Sequence, residues 1–199
     1  MILGAGAGRR FGGDKLLALV DGEPMIRIVA AAYAELCGRV TVVVSADARL
    51  RSALDGLPVD IVVNEHADEG IASSIRAGIA NNGDRPAAMI ALADEPRVDR
   101  LLVTRVMQLW HDTRAPIVVP HYNGEPGHPV LFDRSMFADL LALDGDRGAR
   151  ALIVQMGDHV RSVHVEQPRP IDVDVQEDLE KLVSGFPSVP LEGSGAHVE

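Results

Sequence analysis

Short apolar runs alternate with longer amphipathic segments through the first 120 residues of this chain. The short runs are rich in Val, Ile and Ala, as expected for strands buried on both faces of a parallel sheet. They occupy residues 40–45, 60–65, 87–94 and 115–120. The segments 24–38, 70–82 and 98–112 carry apolar residues every three or four positions, which is typical of amphipathic helices. The pattern therefore predicts an α/β fold with a mostly parallel sheet covered by helices.

Shorter elements are predicted after residue 120. Residues 121–129 carry the Gly, Pro and Asn residues of a loop, and a short strand (130–132) and a helix (135–143) follow. Asp146 is predicted to cap a further helix, because an Asp side chain can accept hydrogen bonds from the first free amides of a helix.

The two ends of the chain differ in character. The first strand is predicted to be very short, since only three residues precede the first glycine. A strand at 162–167 and a helix at 176–184 complete a single predicted domain of residues 1–185. Residues 186–199 are rich in Pro, Gly and Ser, and we expect a flexible tail there.

The charge balance argues against nucleic acid as a partner. The chain has 19 basic and 29 acidic residues and a formal net charge of −10, whereas binding to a nucleic-acid backbone depends on Lys and Arg. No apolar run approaches the ~20 residues of a membrane-spanning helix, and the first residues do not resemble a signal peptide. These features predict a cytoplasmic protein that binds neither nucleic acid nor membrane. The one cysteine, Cys37, excludes an internal disulfide.

The N-terminal segment holds five glycines within ten positions, followed by Lys15. A glycine loop between a strand and a helix commonly places backbone amides around a phosphate. The dinucleotide-binding pattern GxGxxG does not fit, because its third glycine falls on Arg9 or on Phe11. The P-loop pattern GxxxxGK[ST] does not fit either, because Asp14 precedes Lys15 and Leu16 follows it.

The same segment matches L-x-A-G-x-x-x-R-[MF]-G-x-x-K, which is similar to the signature of sugar- and cofactor-nucleotidyltransferases. Attack on an α-phosphate builds negative charge on its oxygens and on the leaving pyrophosphate, so the site needs amide donors and cations. Arg10 and Lys15 are the predicted cations, and a glycine-rich turn with two solvated cations is the structural alternative. The matching residues are Leu3, Ala5, Gly6, Arg10, Gly12 and Lys15.

Asp94 is the predicted metal ligand. It ends an apolar strand, and the carboxyl ends of parallel strands form the edge at which α/β proteins bind ligands. Mg²⁺ prefers one or two carboxylates together with substrate phosphates. Asp172 and Asp174 alternate on an extended segment and would share a face. Asp174 is the predicted second ligand, and capping of the last helix is the alternative.

Four further stretches make the resemblance more specific. They are GIASSIRAG at 70–78, ADEP at 93–96, GHPVLF at 127–132 with GDRGAR at 145–150, and DVDVQED at 172–178. In this order and spacing they resemble the molybdenum cofactor cytidylyltransferases, a group of MobA-like nucleotidyltransferases. The resemblance implies a three-layer α/β/α fold like that of GT-A glycosyltransferases. It also implies Mg²⁺-dependent transfer of CMP from CTP to molybdopterin, with release of pyrophosphate.

The resemblance assigns roles to individual residues. The predicted catalytic residues are Arg10, Lys15 and Asp94, of which Asp94 holds Mg²⁺. The predicted nucleotide-binding residues are Leu3, Gly4, Ala5, Gly6, Gly8, Arg10, Lys15, Gly70, Ser73 and Ser74. The predicted acceptor-binding residues are Gly127, His128 and Pro129.

Several alternatives stay open. Guanylyltransferase relatives usually read LAGG with a longer loop before the lysine, so the shorter loop here favours CTP over GTP. Glu95 stands where the family usually has Gln, and its negative charge would fit either a higher demand for magnesium or a different phosphorylated acceptor. A non-catalytic carrier that passes molybdenum cofactor to a hydroxylase is the alternative of another class. For the enzyme, a molybdenum hydroxylase is the predicted recipient of the product.

Overall fold

The computed structural model describes residues 1–6, 8, 11–146 and 148–184. The strands in these residues are β1 (Ile2–Gly4), β2 (Leu19–Val20), β3 (Glu23–Pro24), β4 (Thr41–Val44), β5 (Asp60–Val63), β6 (Ala87–Leu92), β7 (Ile117–Tyr122), β8 (Glu125–Pro126), β9 (Val130–Asp133) and β10 (Val160–Val165). The helices are α1 (Met25–Leu36), α2 (Ala48–Ala53), α3 (Ile71–Asn81), α4 (Arg100–Thr113), α5 (Phe137–Leu141), α6 (Arg150–Met156) and α7 (Gln176–Ser184).

The central sheet is mostly parallel, as predicted. Its order among the described strands is β10-β7-β9-β6-β1-β4-β5, and β8 pairs with β7. β1 runs parallel between β4 and β6, with Ile2 opposite Val42 and Ala91. β9 is antiparallel to both β6 and β7. The carboxyl ends of β1, β4, β6 and β7 therefore lie at one edge of the sheet.

Helices cover both faces of this sheet. Val42 and Val44 pack with Ile26 of α1 on one face, and Val43 packs with Ile75 of α3 on the other. None of these five side chains is more than 1% exposed. Because successive residues of a strand point to opposite faces, a strand covered on both sides is apolar throughout. The predicted three-layer α/β/α architecture is confirmed.

The loop predicted at 121–129 is wrong in part. β7 extends two residues further than predicted, because its last residues pair with β10. Asn123 and Gly124 then turn the chain back into β8, with φ angles of 48° and 92°. Asp21 and Gly22 make the same kind of turn between β2 and β3, which was not predicted. Asn-Gly and Asp-Gly favour such hairpins because both positions need a positive φ.

The helix cap predicted at Asp146 is also wrong. α6 begins at Arg150, and the residue that precedes it is Ala149. The turn that holds Asp146 lies instead against the start of α3, where the Gly145 carbonyl accepts a hydrogen bond from the Ala72 amide at 3.2 Å. A long-range contact therefore determines the conformation of this turn.

The ends of the described chain agree with the sequence. β1 has three residues, and α7 has the predicted limits. The predicted flexible tail, residues 186–199, lies outside the described residues, and the single domain stays a prediction. Within the described part of the chain, no helix combines the length and the apolar character needed to cross a membrane.

Candidate active site

The carboxyl ends of β1 and β6 open into a cavity of about 660 Å³. This volume lies in the usual range of small-molecule sites. Most of the residues predicted to bind nucleotide line the cavity, together with Asp94. They are Leu3, Gly4, Ala5, Gly6, Gly8, Lys15, Gly70 and Ser74. Arg10 lies outside the described residues, so its contact with phosphate stays a prediction.

The glycine-rich segment folds back on itself after β1. The Phe11 amide donates to the Gly8 carbonyl at 3.0 Å and closes a turn. Gly8, Gly12 and Gly13 have φ angles of 54°, 89° and 107°, which residues with a Cβ rarely adopt. A Cβ added to Gly8 would lie 3.1 Å from the Cβ of Lys15. The turn thus brings Lys15 against the loop that the sequence assigns to phosphate.

Lys15 joins the two predicted metal ligands. Its Nζ donates to Asp94 Oδ2 at 2.7 Å and to Asp174 Oδ1 at 2.8 Å. The Lys15 side chain is only 11% exposed. Burial opposes its charge, but the hydrogen bonds to Asp174 and Asp94 outweigh that effect and raise the pKa of Lys15. Lys15 is therefore a fixed cation, and the structure brings all three residues together.

The segment before α7 places Asp174. Val173 is fully buried, and its amide donates to the Asp94 carbonyl at 3.2 Å. Asp178 Oδ2 accepts from the amides of Asp174 and Val175 at 3.0 and 3.1 Å, as a cap at the start of α7. The predicted capping of the last helix thus falls to Asp178, which leaves the Asp174 carboxylate directed at Lys15.

A divalent metal fits these carboxylates. Asp94 Oδ1 is buried and has no hydrogen-bond partner among the described residues. Such an atom is costly to bury unless a ligand completes its interactions. No cluster of three or more His, Cys, Asp or Glu side chains that could hold a metal occurs in the described residues. Asp94 and Asp174 would therefore hold the ion together with phosphate oxygens and water, as Mg²⁺ prefers.

The serines predicted to meet the nucleotide differ in their surroundings. Asn64 Nδ2 donates to Ser73 Oγ at 2.8 Å and to Ser74 Oγ at 3.0 Å. Ser73 Oγ donates in turn to the Gly70 carbonyl at 2.8 Å. Ser74 lines the cavity, whereas Ser73 does not. Ser73 therefore stabilises the first turn of α3 through its hydrogen bond to Gly70. Its contact with nucleotide stays a prediction.

Gly70 lines the cavity and lies against the turn that holds Asp146. A Cβ added to Gly70 would lie 2.5 Å from Asp146 Oδ1 and 2.5 Å from the Gly145 carbonyl oxygen. Gly70 also has a φ of 98°, so only glycine fits here. Asp146, Ser45 and Asp68 line the cavity but were not predicted as site residues. Asp68 could have been predicted from the sequence, because it lies two residues before Gly70, which was predicted to bind nucleotide.

The predicted acceptor residues follow the β7–β8 hairpin. The Gly127 amide donates to the Pro120 carbonyl at 2.9 Å, and a Cβ on Gly127 would lie 2.6 Å from the ring of Tyr122. The Tyr122 hydroxyl donates to the His128 carbonyl at 2.9 Å. The peptide bond between His128 and Pro129 is cis. These contacts hold His128 beside Glu95, the residue that follows Asp94.

Glu95 lies at the centre of a second charged cluster. Its side chain is 11% exposed, and its Oε1 lies 3.4 Å from His128 Nδ1 and 3.4 Å from Arg169 Nη2. The same nitrogen of Arg169 lies 2.6 Å from Asp172 Oδ2. Asp172 and Asp174 therefore have different partners. Arg169 was not predicted, because a lone Arg between two prolines belongs to no motif.

The pKa values of Glu95 and Asp172 are shifted in opposite directions. Burial and the neighbouring Glu95 raise the pKa of Asp172 to about 7. Burial also opposes ionisation of Glu95, but the interactions with His128, Asp172 and Arg169 outweigh it and lower the pKa of Glu95. Asp172 Oδ1 is buried, and no N–H group of the described residues donates to it. Of the two carboxyl groups, that of Asp172 therefore has the higher pKa.

Known proteins are similar to this chain in sequence and in fold. The model of the MobA-like NTP transferase domain matches residues 1–160. A protein of Natronomonas pharaonis named "Probable molybdenum cofactor guanylyltransferase" is 27% identical over 193 residues, which cover 91% of this chain and 94% of that protein.

Two solved structures extend the comparison. A homologue of Mycobacterium tuberculosis Rv0371c from Mycobacterium sp. strain JC1 superposes with a TM-score of 0.78 at 27% identity, over 92% of this chain and 93% of that one. The complex of Rv0371c from M. tuberculosis with manganese has a TM-score of 0.74 at 27% identity, over 93% and 97%. The predicted resemblance to MobA-like nucleotidyltransferases is confirmed: the chain belongs to the family of MobA-like NTP transferase domains and is a nucleotidyltransferase of this type.

Proposed function

We propose that this chain transfers CMP from CTP to the phosphate of molybdopterin and releases pyrophosphate. The observation that carries the proposal is the meeting of Lys15 with Asp94 and Asp174 at the cavity lined by the glycine segment. One cation and two carboxylates beside a glycine-rich segment fit the charge pattern that a metal-bound triphosphate requires. The relative named as a molybdenum cofactor guanylyltransferase supports molybdopterin as the acceptor.

Binding of the donor uses the residues at the cavity. The amides of the glycine segment and the ammonium of Lys15 hold the triphosphate, and Arg10 is the further proposed cation. Asp94 and Asp174 hold a divalent ion, for which we propose Mg²⁺. When bound, this ion neutralises phosphate charge and orients the α-phosphate. The manganese complex of the mycobacterial relative supports a divalent ion in this fold.

The chemical step is a displacement at phosphorus. An oxygen of the acceptor phosphate attacks the α-phosphorus of CTP, and a new P–O bond forms while the bond to the β-phosphate oxygen breaks. Pyrophosphate leaves with the electron pair of the broken bond. The acceptor phosphate is already an anion near neutral pH, so no general base is needed. Lys15 stabilises the charge on pyrophosphate, because its raised pKa keeps it protonated.

The identity of the base has two candidates. The short loop between Gly6 and Lys15 supports CTP, as argued from the sequence. The name of the N. pharaonis relative supports GTP. Both nucleotides carry the same triphosphate, so the Lys15, Asp94 and Asp174 arrangement serves either of them. We propose CTP as the donor and treat GTP as the second candidate.

Pyrophosphate release tests the proposal. Purified protein is given molybdopterin, Mg²⁺ or Mn²⁺, and either CTP or GTP, beside an Asp94→Asn variant. Asp139→Asn, at an exposed position of α5, is the matched control. We expect release with CTP, loss of at least about a hundredfold in Asp94→Asn because a metal ligand and a Lys15 partner are both lost, and normal release in Asp139→Asn.

The other outcomes separate the alternatives. Release with GTP alone would overturn the base but leave the chemistry in place. No release with either nucleotide, together with retained binding of molybdopterin, would support the carrier instead of the enzyme. Release only with another phosphorylated acceptor would overturn molybdopterin.

A further inference from the structure

We propose that Arg169 binds the phosphate of the acceptor, a phosphomonoester. His128, in the segment between β8 and β9, donates a hydrogen bond to the same phosphate. The inference rests on the proposed function only for the identity of that acceptor. Neither the glycine segment nor the predicted acceptor residues include Arg169. The argument depends on its position, on its unused donors and on the unequal strength of its present contacts.

Arg169 lies beside the proposed metal ligands, on the side of His128, a predicted acceptor residue. Its Nη2 contacts Glu95, the residue after Asp94, and Asp172, two residues before Asp174. Lys15 contacts Asp94 and Asp174 themselves. The two cations therefore bind neighbouring carboxylates, one at position 94 or 95 and one at position 172 or 174. Lys15 lies at the glycine-rich segment, and Arg169 lies on the side of His128. An in-line displacement needs such an arrangement, because the acceptor phosphate enters opposite the leaving pyrophosphate.

Two donors converge on one oxygen atom. Glu95 Oε1 lies 3.4 Å from Arg169 Nη2 and 3.4 Å from His128 Nδ1. No hydrogen bond of His128 Nδ1 is formed with the described residues, although this atom is buried. An oxygen atom that lay closer to both nitrogen atoms than Oε1 does would be within reach of both groups. A phosphate oxygen carries negative charge as the Glu95 carboxylate does, so it suits the same two donors.

The present contacts of Arg169 differ in strength. The contact with Asp172 at 2.6 Å is short and charge-assisted, whereas the contact with Glu95 at 3.4 Å is at the outer limit of hydrogen bonding. By distance, Asp172 therefore anchors the guanidinium, and the longer contact with Glu95 is the one for which a phosphate oxygen would compete. Among the described residues only Nη2 of Arg169 takes part in these bonds, so Nε and Nη1 can donate to the phosphate.

The guanidinium is accessible to a ligand. The Arg169 side chain is 36% exposed, and His128 is 28% exposed. A planar guanidinium with several N–H groups binds phosphate oxygens better than a point charge does. Arg161 is also an exposed arginine, but its described hydrogen bonds are to the backbone carbonyls of Asp158 and Val160, which makes it a suitable control.

Titration with inorganic phosphate tests the inference without any turnover. The protein is first saturated with Mg²⁺ and an α,β-methylene nucleotide, so that the glycine segment is occupied and no transfer takes place. Calorimetry then measures the affinity for inorganic phosphate in wild type, Arg169→Gln, Arg169→Lys and the control Arg161→Gln. Affinity for the nucleotide analogue and the thermal midpoint are measured for each variant.

We expect Arg169→Gln to weaken phosphate binding at least about tenfold, since a hydrogen bond to a charged group is lost. Arg169→Lys should recover part of this affinity, Arg161→Gln should match wild type, and nucleotide affinity should stay within about twofold in all of them. If Arg169→Gln does not fold, Arg169→Lys alone decides, with an expected loss of about threefold to tenfold because the planar donors are removed.

Three results would overturn the inference: no phosphate binding by wild type, unchanged phosphate affinity in the Arg169 variants, or an equal loss of nucleotide affinity. The KM for the phosphorylated acceptor should rise with the phosphate dissociation constant, while the KM for nucleotide stays constant. Failure of the proposed function is a separate result, because it would abolish pyrophosphate release in wild type and leave the phosphate titration interpretable.

Discussion

Lys15 and Asp94 form a close ion pair in which the ammonium lies 2.7 Å from the carboxylate. The same ammonium also lies 2.8 Å from Asp174. One lysine thus pairs with both carboxylates that we propose for the metal, and it also lines the cavity that we propose for the triphosphate. Binding of a divalent ion to these carboxylates must therefore compete with Lys15.

Replacing Lys15 should separate metal binding from nucleotide binding. In Lys15→Met we expect Mn²⁺ to bind about tenfold more tightly without nucleotide, because the competing cation is gone, and CTP or GTP to bind more weakly. Paramagnetic resonance of free Mn²⁺ measures the first effect. Lys181→Met, which changes an exposed lysine of α7, is the control. An unchanged or weaker Mn²⁺ affinity would contradict the proposed role of the two carboxylates.

The buried Val173 should be required to hold Asp174 in place. Val173→Ala removes two methyl groups from a fully buried site and should cost about 1–3 kcal/mol of unfolding free energy. It should also weaken Mn²⁺ binding, because the segment that carries Asp174 loses its anchor. Urea unfolding measures the first effect. Val154→Ala, at a position 75% exposed, should change stability by less than about 0.5 kcal/mol. Equal effects of the two substitutions would argue against the anchor.

Gly70 should not tolerate a side chain. Gly70→Ala places a Cβ 2.5 Å from Asp146 Oδ1 at a φ of 98°, and strain of this kind costs about 1–3 kcal/mol. We expect lower stability and weaker nucleotide binding, because the turn over the cavity must move. Gly83→Ala is the control, since a Cβ at this position would lie 4.0 Å from its nearest neighbours and the φ of Gly83 is not positive. Normal nucleotide affinity in Gly70→Ala would show that this turn does not shape the site.

Asp133 should make stability depend on pH in the acid range. Burial opposes its ionisation, but hydrogen bonds from the Ser135 amide and the Trp110 indole outweigh it and lower the pKa of Asp133. A carboxyl group whose pKa is lower in the folded state than in the unfolded state stabilises the folded state at pH values above its unfolded pKa of about 3.9. This contribution is lost as the pH falls through the pKa of the folded state.

Asp133→Asn should therefore be less stable than wild type at neutral pH, and the difference should shrink below about pH 4. Fluorescence of Trp110, the one tryptophan of the chain, follows urea unfolding at each pH. Asp139→Asn, at an exposed position in the same part of the chain, is the control for the change from Asp to Asn. If the unfolding free energies of Asp133→Asn and wild type differed by a constant amount from pH 3 to 7, ionisation of Asp133 would be excluded as the cause of the difference.

Local patterns were enough for the elements whose signals are local. Strands buried on both faces appear as apolar runs, and α7 has both of its predicted limits because its helical pattern is contained in its own residues. The hairpins at Asp21 and Asn123 carried the appropriate Asp-Gly and Asn-Gly signals, yet they were not predicted. Asp146 was assigned to a cap by local chemistry, whereas a contact with the start of α3 determines its position.

The amino-acid sequence by itself determined the class of fold, the family and the residues at the edge of the sheet, because strand periodicity and motif spacing are properties of the chain. Only the tertiary structure decided which charges meet. Lys15 and Asp174 are 159 positions apart, and Glu95 and Arg169 are 74 positions apart. No local pattern relates such residues, since their distance depends on how β1, β6 and the segment before α7 pack together. For this reason Lys15 could be predicted as a cation, but its pairing with both carboxylates and the position of Arg169 could not.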